Sequence, residues 1–354
     1  MRPPSEPVVC SSNYEIDVAV PYRLDLTVSV LRRLSANIVD VLTPDGQYVR
    51  AFDGFPGPMI ARVAQHRPDS LLLTLEGNVK QYPQAVALMH RMLGVDRELT
   101  RFNRAAARIS WLRPLAARMR GVKPPRYATL WEACVNAIVF QQVSLQAASS
   151  ILRKVIVAVG APLTNNGSTF HAFPSVESVQ AASEDLLLAA GLSGRKLAAL
   201  RHVGDALLSG VLTEAMLEER ASPDAIELLC RVKGIGPWTA TVILLRGLGR
   251  LDVFPMNDSS VTRNFKLVAG SERSMSSRFS GNSVRRKACC TITCFWLVLK
   301  RVTTWAALRS TSEVSRTSPY GSVKLSQSKT LSVPAAGARR RYFRFAGNQT
   351  QSCS

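Results

Sequence analysis

The sequence predicts an α+β chain: a small antiparallel β-sheet domain with helices, then an all-α core built on a helix–hairpin–helix, then an irregular C-terminal tail. Three observations predict it. Residues 14–78 alternate apolar and polar side chains between turn signals, the period of half-buried strands. From Tyr82 onward the apolar spacing becomes helical. Late in that run Gly234-Ile235-Gly236-Pro237 breaks a helical pattern that resumes at Trp238, as two glycines and a proline must.

Taken in order, the strand candidates are YEIDVAV, NIVDVLT, YVRAF, MIARVAQ and SLLLTLEG, with Pro44-Asp45-Gly46 and Gly54-Phe55-Pro56-Gly57 as turns. One helix, Leu24 to Leu34, interrupts them. Helices then follow over QAVALMHRMLG, LTRFNRAAARI and RPLAARM. The loop Gly121-Val122-Lys123-Pro124-Pro125 separates a first domain, 10–120, from a second, 121–270. In the second, ATLWEACVNAIVFQQVSLQAASSILRKVIVAVG gives two long helices meeting at Gln141-Gln142-Val143-Ser144, with Ser144 as N-cap. Asn165-Asn166-Gly167-Ser168 reads as a loop. Glu177 to Ala190 and Arg195 to Leu208 read as amphipathic helices, and Pro223 to Val232 leads into the Gly hairpin. There the glycines let successive backbone N–H groups point outward at a helix N-terminus, a cradle suited to a phosphate.

The composition narrows the partners. Among 354 residues, 45 Lys and Arg against 25 Asp and Glu give +20 and a pI near 10.3, the footprint of a polyanion-binding chain. Fifteen Lys and Arg and two Asp and Glu lie after residue 270, so +7 belongs to the region before it. No apolar run reaches membrane-spanning length and MRPPSEPVV lacks a signal core, so no membrane role and a cytoplasmic protein are expected. Seven cysteines occur without a CxxC pair, and His66, His90, His171 and His202 are scattered without ligand spacing. Neither a zinc site nor a four-cysteine cluster loop can be read. Cys134 and Cys230 sit in helical patterns as plain thiols.

GIGPWTA, followed by LLRG, DVFP and then Asp258, resembles the helix-hairpin-helix DNA glycosylases. Within them the chain is most similar to the 3-methyladenine DNA glycosylase II branch, over residues 14–270. The resemblance implies a monofunctional enzyme of base excision repair that hydrolyses the N-glycosidic bond of flipped-out alkylated purines. Asp258 would be catalytic, stabilising positive charge on the sugar and orienting water. An Asp at that place also caps a following helix, and the two roles are compatible. Asp252 is the nearby rival and reads as structural. Trp238 stands where strand-cutting relatives carry a Schiff-base Lys, and an indole face suits a cationic alkylated base. At the corner between the two long helices, Gln142 aligns with the residue that fills the gap left by the flipped base, flanked by Gln141 and Val143. Gly234, Ile235 and Gly236 would hold a phosphate, with Lys233 and Arg246 adding attraction. The expected partner is damaged double-stranded DNA, met by a monomer on the bacterial nucleoid. No cofactor is expected, although a monovalent cation chelated by hairpin carbonyls accords with the resemblance. The alternatives are a non-catalytic or impaired hairpin DNA-binding protein, or a glycosylase for oxidised or mismatched bases.

After residue 270 the character changes: 271–354 is rich in Ser, Arg and Thr, holds no Asp, and keeps no period. Read one base earlier, the codons of KACCTITCFWLVLKR can encode an apolar helix of the kind the family continues with. A one-base frameshift near codon 271 is expected on that ground, the other reading being a basic, disordered tail.

Overall fold

The computed structural model describes residues 11–53, 58–110, 112–165, 167–255 and 258. The α+β expectation holds for these residues. The readings made for residues 259–354, the tail among them, lie outside the described residues.

A five-stranded antiparallel sheet opens the chain, built from β1 (Ser11–Asp17), β2 (Val41–Leu42), β3 (Tyr48–Phe52), β4 (Met59–Arg67) and β5 (Ser70–Glu76), in the order β1-β5-β4-β3-β2. Alternation puts Ile16, Leu71, Leu73 and Leu75 on one face, where they pack with Val28 and Leu31 of α1 (Leu24–Arg32) and Met89 and Leu93 of α2 (Tyr82–Leu93). All five residues of β3 are buried, because its other face is covered too. Val49, Ala51 and Ile60 meet Phe170 and Ala172 there. The NIVDVLT segment yields only the two residues of β2. The Asn37 side chain accepts hydrogen bonds from the Val39 and Asp40 amides, a local turn that outcompetes an extended start.

Two small helices follow, α3 (Thr100–Ala107) and α4 (Arg113–Arg118), sharing their own apolar cluster. The helical core is then built around α5 (Leu130–Val139), every residue of which is buried. Apart from Glu132 and Asn136 its side chains are apolar, as suits a helix at a centre, and α5 packs against α6 (Leu145–Val159), α9 (Gly194–Leu208) and α12 (Pro237–Gly247). Ser144 caps α6 as expected, its hydroxyl accepting from the Ala147 amide.

Three expectations need correction. The Asn165–Ser168 loop is the turn of a β-hairpin, β6 (Pro162–Asn165) with β7 (Ser168–His171), so the second domain is not purely α. Residues 177–190 form two helices, α7 (Val176–Ala181) and α8 (Glu184–Ala189). Ser183 divides them by accepting from the Leu186 amide as a fresh N-cap. Before α11 (Ser222–Cys230), a short α10 (Glu214–Glu218) capped by Thr213 was not foreseen. No helix among the described residues is long and apolar enough to cross a membrane.

Candidate active site

The hairpin runs from the end of α11 to Gly236, the N-cap of α12, with Pro237 in the first turn of that helix. Ile235 anchors it: the side chain is 5% exposed and the amide donates to the Val232 carbonyl at 3.1 Å. Gly234 has φ +97°, and a Cβ there would run into Ala199 of α9. Gly236 faces open space. Among the described residues, the amides of the exposed Gly234 and Gly236, on either side of the buried Ile235, donate no backbone hydrogen bond. Lys233 is exposed beside them. We expect Gly234→Ala to cost about 1–3 kcal/mol from backbone strain alone, with the Ala199 contact adding to it. An unchanged melting temperature would contradict this packing.

The corner between α5 and α6 lies against the same turn. Gln141 Nε2 donates to Thr239 Oγ1 at 2.8 Å and to the Gly234 carbonyl at 3.3 Å. That contact joins chain segments 98 residues apart. Gln141 is therefore a strut between corner and hairpin. Its neighbour Gln142 sits at φ +55° and is exposed, a conformation uncommon outside glycine and one that concentrates at binding sites. Val143 is also exposed. The end of α5 is fixed from a third side by Lys196 of α9, whose Nζ donates to the Val139 carbonyl at 2.8 Å. Burial lowers the pKa of that ammonium. Hairpin, corner and α9 are thus one braced unit that presents Gln142 and the two glycine amides.

Trp238, in the first turn of α12, is half-buried against the core that α5 organises. Beyond α12 the chain is pinned by buried Val253 and by Phe254 on that core. Asp252 is exposed, whereas Asp258 is 8% exposed, and both carry interactions. The two carboxylates are therefore sorted by environment. Cys134 is fully buried, its thiol pushed up to about 12, and burial also raises Cys230, as inert thiols require. Among the described residues no cluster of three or more His, Cys, Asp or Glu could hold a metal ion.

Arg246 is corrected. It is 1% exposed, with its guanidinium 4.9 Å from the Tyr127 ring centroid and within 3.5 Å of the Val30 carbonyl. A cation so enclosed cannot attract a phosphate. The apolar run VILLRGLG gives α12 no polar face, so position 246 turns inward. Burial lowers its pKa, and Tyr127 opposes that. Arg33, missed in the sequence, lies beside it at φ +56°, stacked 4.4 Å from the Phe140 centroid. An arginine ending a helix gives no signal of that stacking.

Residues 135–280 match the family described as HhH-GPD superfamily base excision DNA repair protein. The chain is 30% identical over 139 residues to DNA-3-methyladenine glycosylase 1 of Schizosaccharomyces pombe, which covers 39% of this chain and 57% of that protein. It is 26% identical over 190 residues to DNA-3-methyladenine glycosylase of Bacillus subtilis, 54% of this chain and 63% of that one. The chain thus spans less than two thirds of either relative. A solved structure, 3-methyladenine DNA-glycosylase from Archaeoglobus fulgidus, superposes with a TM-score of 0.68 at 23% identity, covering 83% of this chain and 99% of that one. That likeness is one of fold, and it takes in the sheet domain as well as the helices. The likeness of this chain to the HhH-GPD superfamily of base excision DNA repair proteins thus rests on residues 135–280.

Proposed function

We propose that the chain is a monofunctional DNA glycosylase that hydrolyses the N-glycosidic bond of alkylated purines, such as 3-methyladenine, in damaged double-stranded DNA. The observation that carries it is the braced unit: Gly234 and Gly236 offer amides to a phosphate while Gln141 ties the Gln142 corner to the same turn. A grip on the backbone and a side chain to occupy a vacated stack are what base flipping needs. Lys233 adds charge to the grip, Val143 flanks the corner, and a monomer suffices.

In this reading Trp238 stacks on the extruded base. Alkylation leaves the base cationic and a good leaving group, so an aromatic face and one carboxylate are enough. Asp258 faces the sugar, stabilises the charge that builds as the bond stretches, and accepts the proton from attacking water. With Trp238 in place of a Lys, no Schiff base forms and the strand stays uncut. A monovalent cation on the hairpin fits as support for the turn, since the Val232 and Gly234 carbonyls each accept one hydrogen bond and keep a second lone pair.

The test is incubation of the full chain with duplex DNA treated with a methylating agent, followed by chromatography of released bases. Free 3-methyladenine with intact strands supports the reading. Binding to the duplex without release of any base sinks it in favour of a non-catalytic hairpin module.

A further inference from the structure

The arginines of the described protein fall into two groups. Most are consumed internally. Arg201 donates to the carbonyls of Val179 and Ala182, Arg250 to those of Leu217 and Arg220, Arg91 pairs with Glu214, and Arg62 with Glu76. Arg195 and Arg231 are exposed without such a partner among the described residues, but they stand singly, whereas the arginines of α3 and α4 are grouped. Residues 99–131 contain no Asp or Glu and eight Lys or Arg. Lys123 and Arg126 of that stretch turn inward. The other six (Arg101, Arg104, Arg108, Arg113, Arg118 and Arg120) are exposed and have no ion-pair or hydrogen-bond partner among the described residues.

Their placement follows from the local core. Phe102, Ala106 and Ile109 turn into an apolar cluster with Leu112 and Leu115. Arg101, Arg104 and Arg108, spaced by three and four, occupy the opposite face of α3. At 1.5 Å per residue the row is about 10 Å long. Along the chain the nearest acids, Asp96 and Glu98, precede the row. Six exposed like charges with no partner among the described residues repel one another, a standing cost that an external polyanion removes.

We propose that this face of α3 and α4 is a second docking surface, for the phosphate backbone of undamaged duplex DNA. Duplex DNA carries one negative charge per about 1.7 Å of axis, so a rigid 10 Å row of guanidiniums meets several phosphates at once. Single-strand binders add exposed aromatic platforms for unstacked bases, and the described residues of the two helices expose none. The surface is independent of base release: it would hold the protein on ordinary DNA between lesions.

The test measures binding of the full chain to an undamaged duplex oligonucleotide across a salt series, for wild type, R101A/R104A/R108A and R101K/R104K/R108K. Loss of three phosphate contacts makes the slope of log K against log salt shallower by about 2–3. Between about 50 and about 200 mM salt, the alanine variant then loses roughly fortyfold less affinity than wild type. The lysine variant keeps most of the wild-type slope, because charge is what counts. All three melt together, since the side chains are exposed and make no hydrogen bond or ion pair among the described residues. An alanine variant with the wild-type slope on duplex DNA overturns the proposal. So does a slope change seen on single-stranded RNA but not on the duplex, which would assign the face to another polyanion. Because the substrate is undamaged and the readout is binding, failure of the glycosylase reading leaves this test intact.

Discussion

Asp258→Asn is expected to lower the rate of 3-methyladenine release about 10²–10⁴-fold, with duplex binding held near the wild-type level. The substitution keeps side-chain size and removes the negative charge that the developing sugar cation needs. Asp258 is buried and engaged, so a charge there acts in a medium where Coulomb interactions are stronger than in water. Asp252→Asn is the matched control. That carboxylate is exposed, and its loss should leave release close to wild type. Melting curves for both variants separate chemistry from folding. If Asp258→Asn releases base at the wild-type rate, or if Asp252→Asn is the damaging change, the assignment of the acid is wrong. Saturating substrate sharpens the result, since a group acting only on the transition state lowers kcat and kcat/KM together.

What the sequence made legible was whatever is written in backbone chemistry or in a clean period. Gly234, Gly236 and Pro237 dictate a hairpin because few other residues can make that turn, and the structure has it at those positions. The strands over YVRAF, MIARVAQ and SLLLTLEG follow from alternation, and Ser144 from its hydroxyl. Legibility failed where a side chain's meaning depends on a distant partner. Gln141 reads as a polar helix end until Thr239 is beside it. Arg246 reads as a surface cation until α12 is seen to have no outward face there. The β6–β7 hairpin reads as a loop because its strands are short, and what stabilises it is the packing of Phe170 against Val49 and Ile60.

The same limit hid the joint between the sheet and the helical core, where the largest stability effect is expected. Arg50 of β3, 1% exposed, donates to Asp40 at 2.6 Å and to Glu132 of α5 at 2.5 Å, and both carboxylates are buried with it. The Tyr48 hydroxyl donates to Asp40 at 2.8 Å. Burial raises the Glu132 carboxyl above its usual value, and the Arg50 guanidinium opposes that rise. Arg50→Met deletes the cation that both carboxylates face and leaves two buried like charges, a loss of about 3–5 kcal/mol. Glu132→Gln should cost less, because Arg50 keeps Asp40 as a partner. The pH dependence distinguishes charge from packing. In Arg50→Met the Glu132 carboxyl loses the guanidinium that opposes its rise and lies above its unfolded value, so its protonated form favours folding. Stability is then retained at low pH and lost as pH rises through the raised value. The gap in melting temperature between wild type and Arg50→Met should therefore be wide at neutral pH and narrow as pH falls through the carboxylate range. A gap that stays constant with pH would mean that Arg50 is held for its volume, and that sheet and helical core are joined by packing rather than by charge.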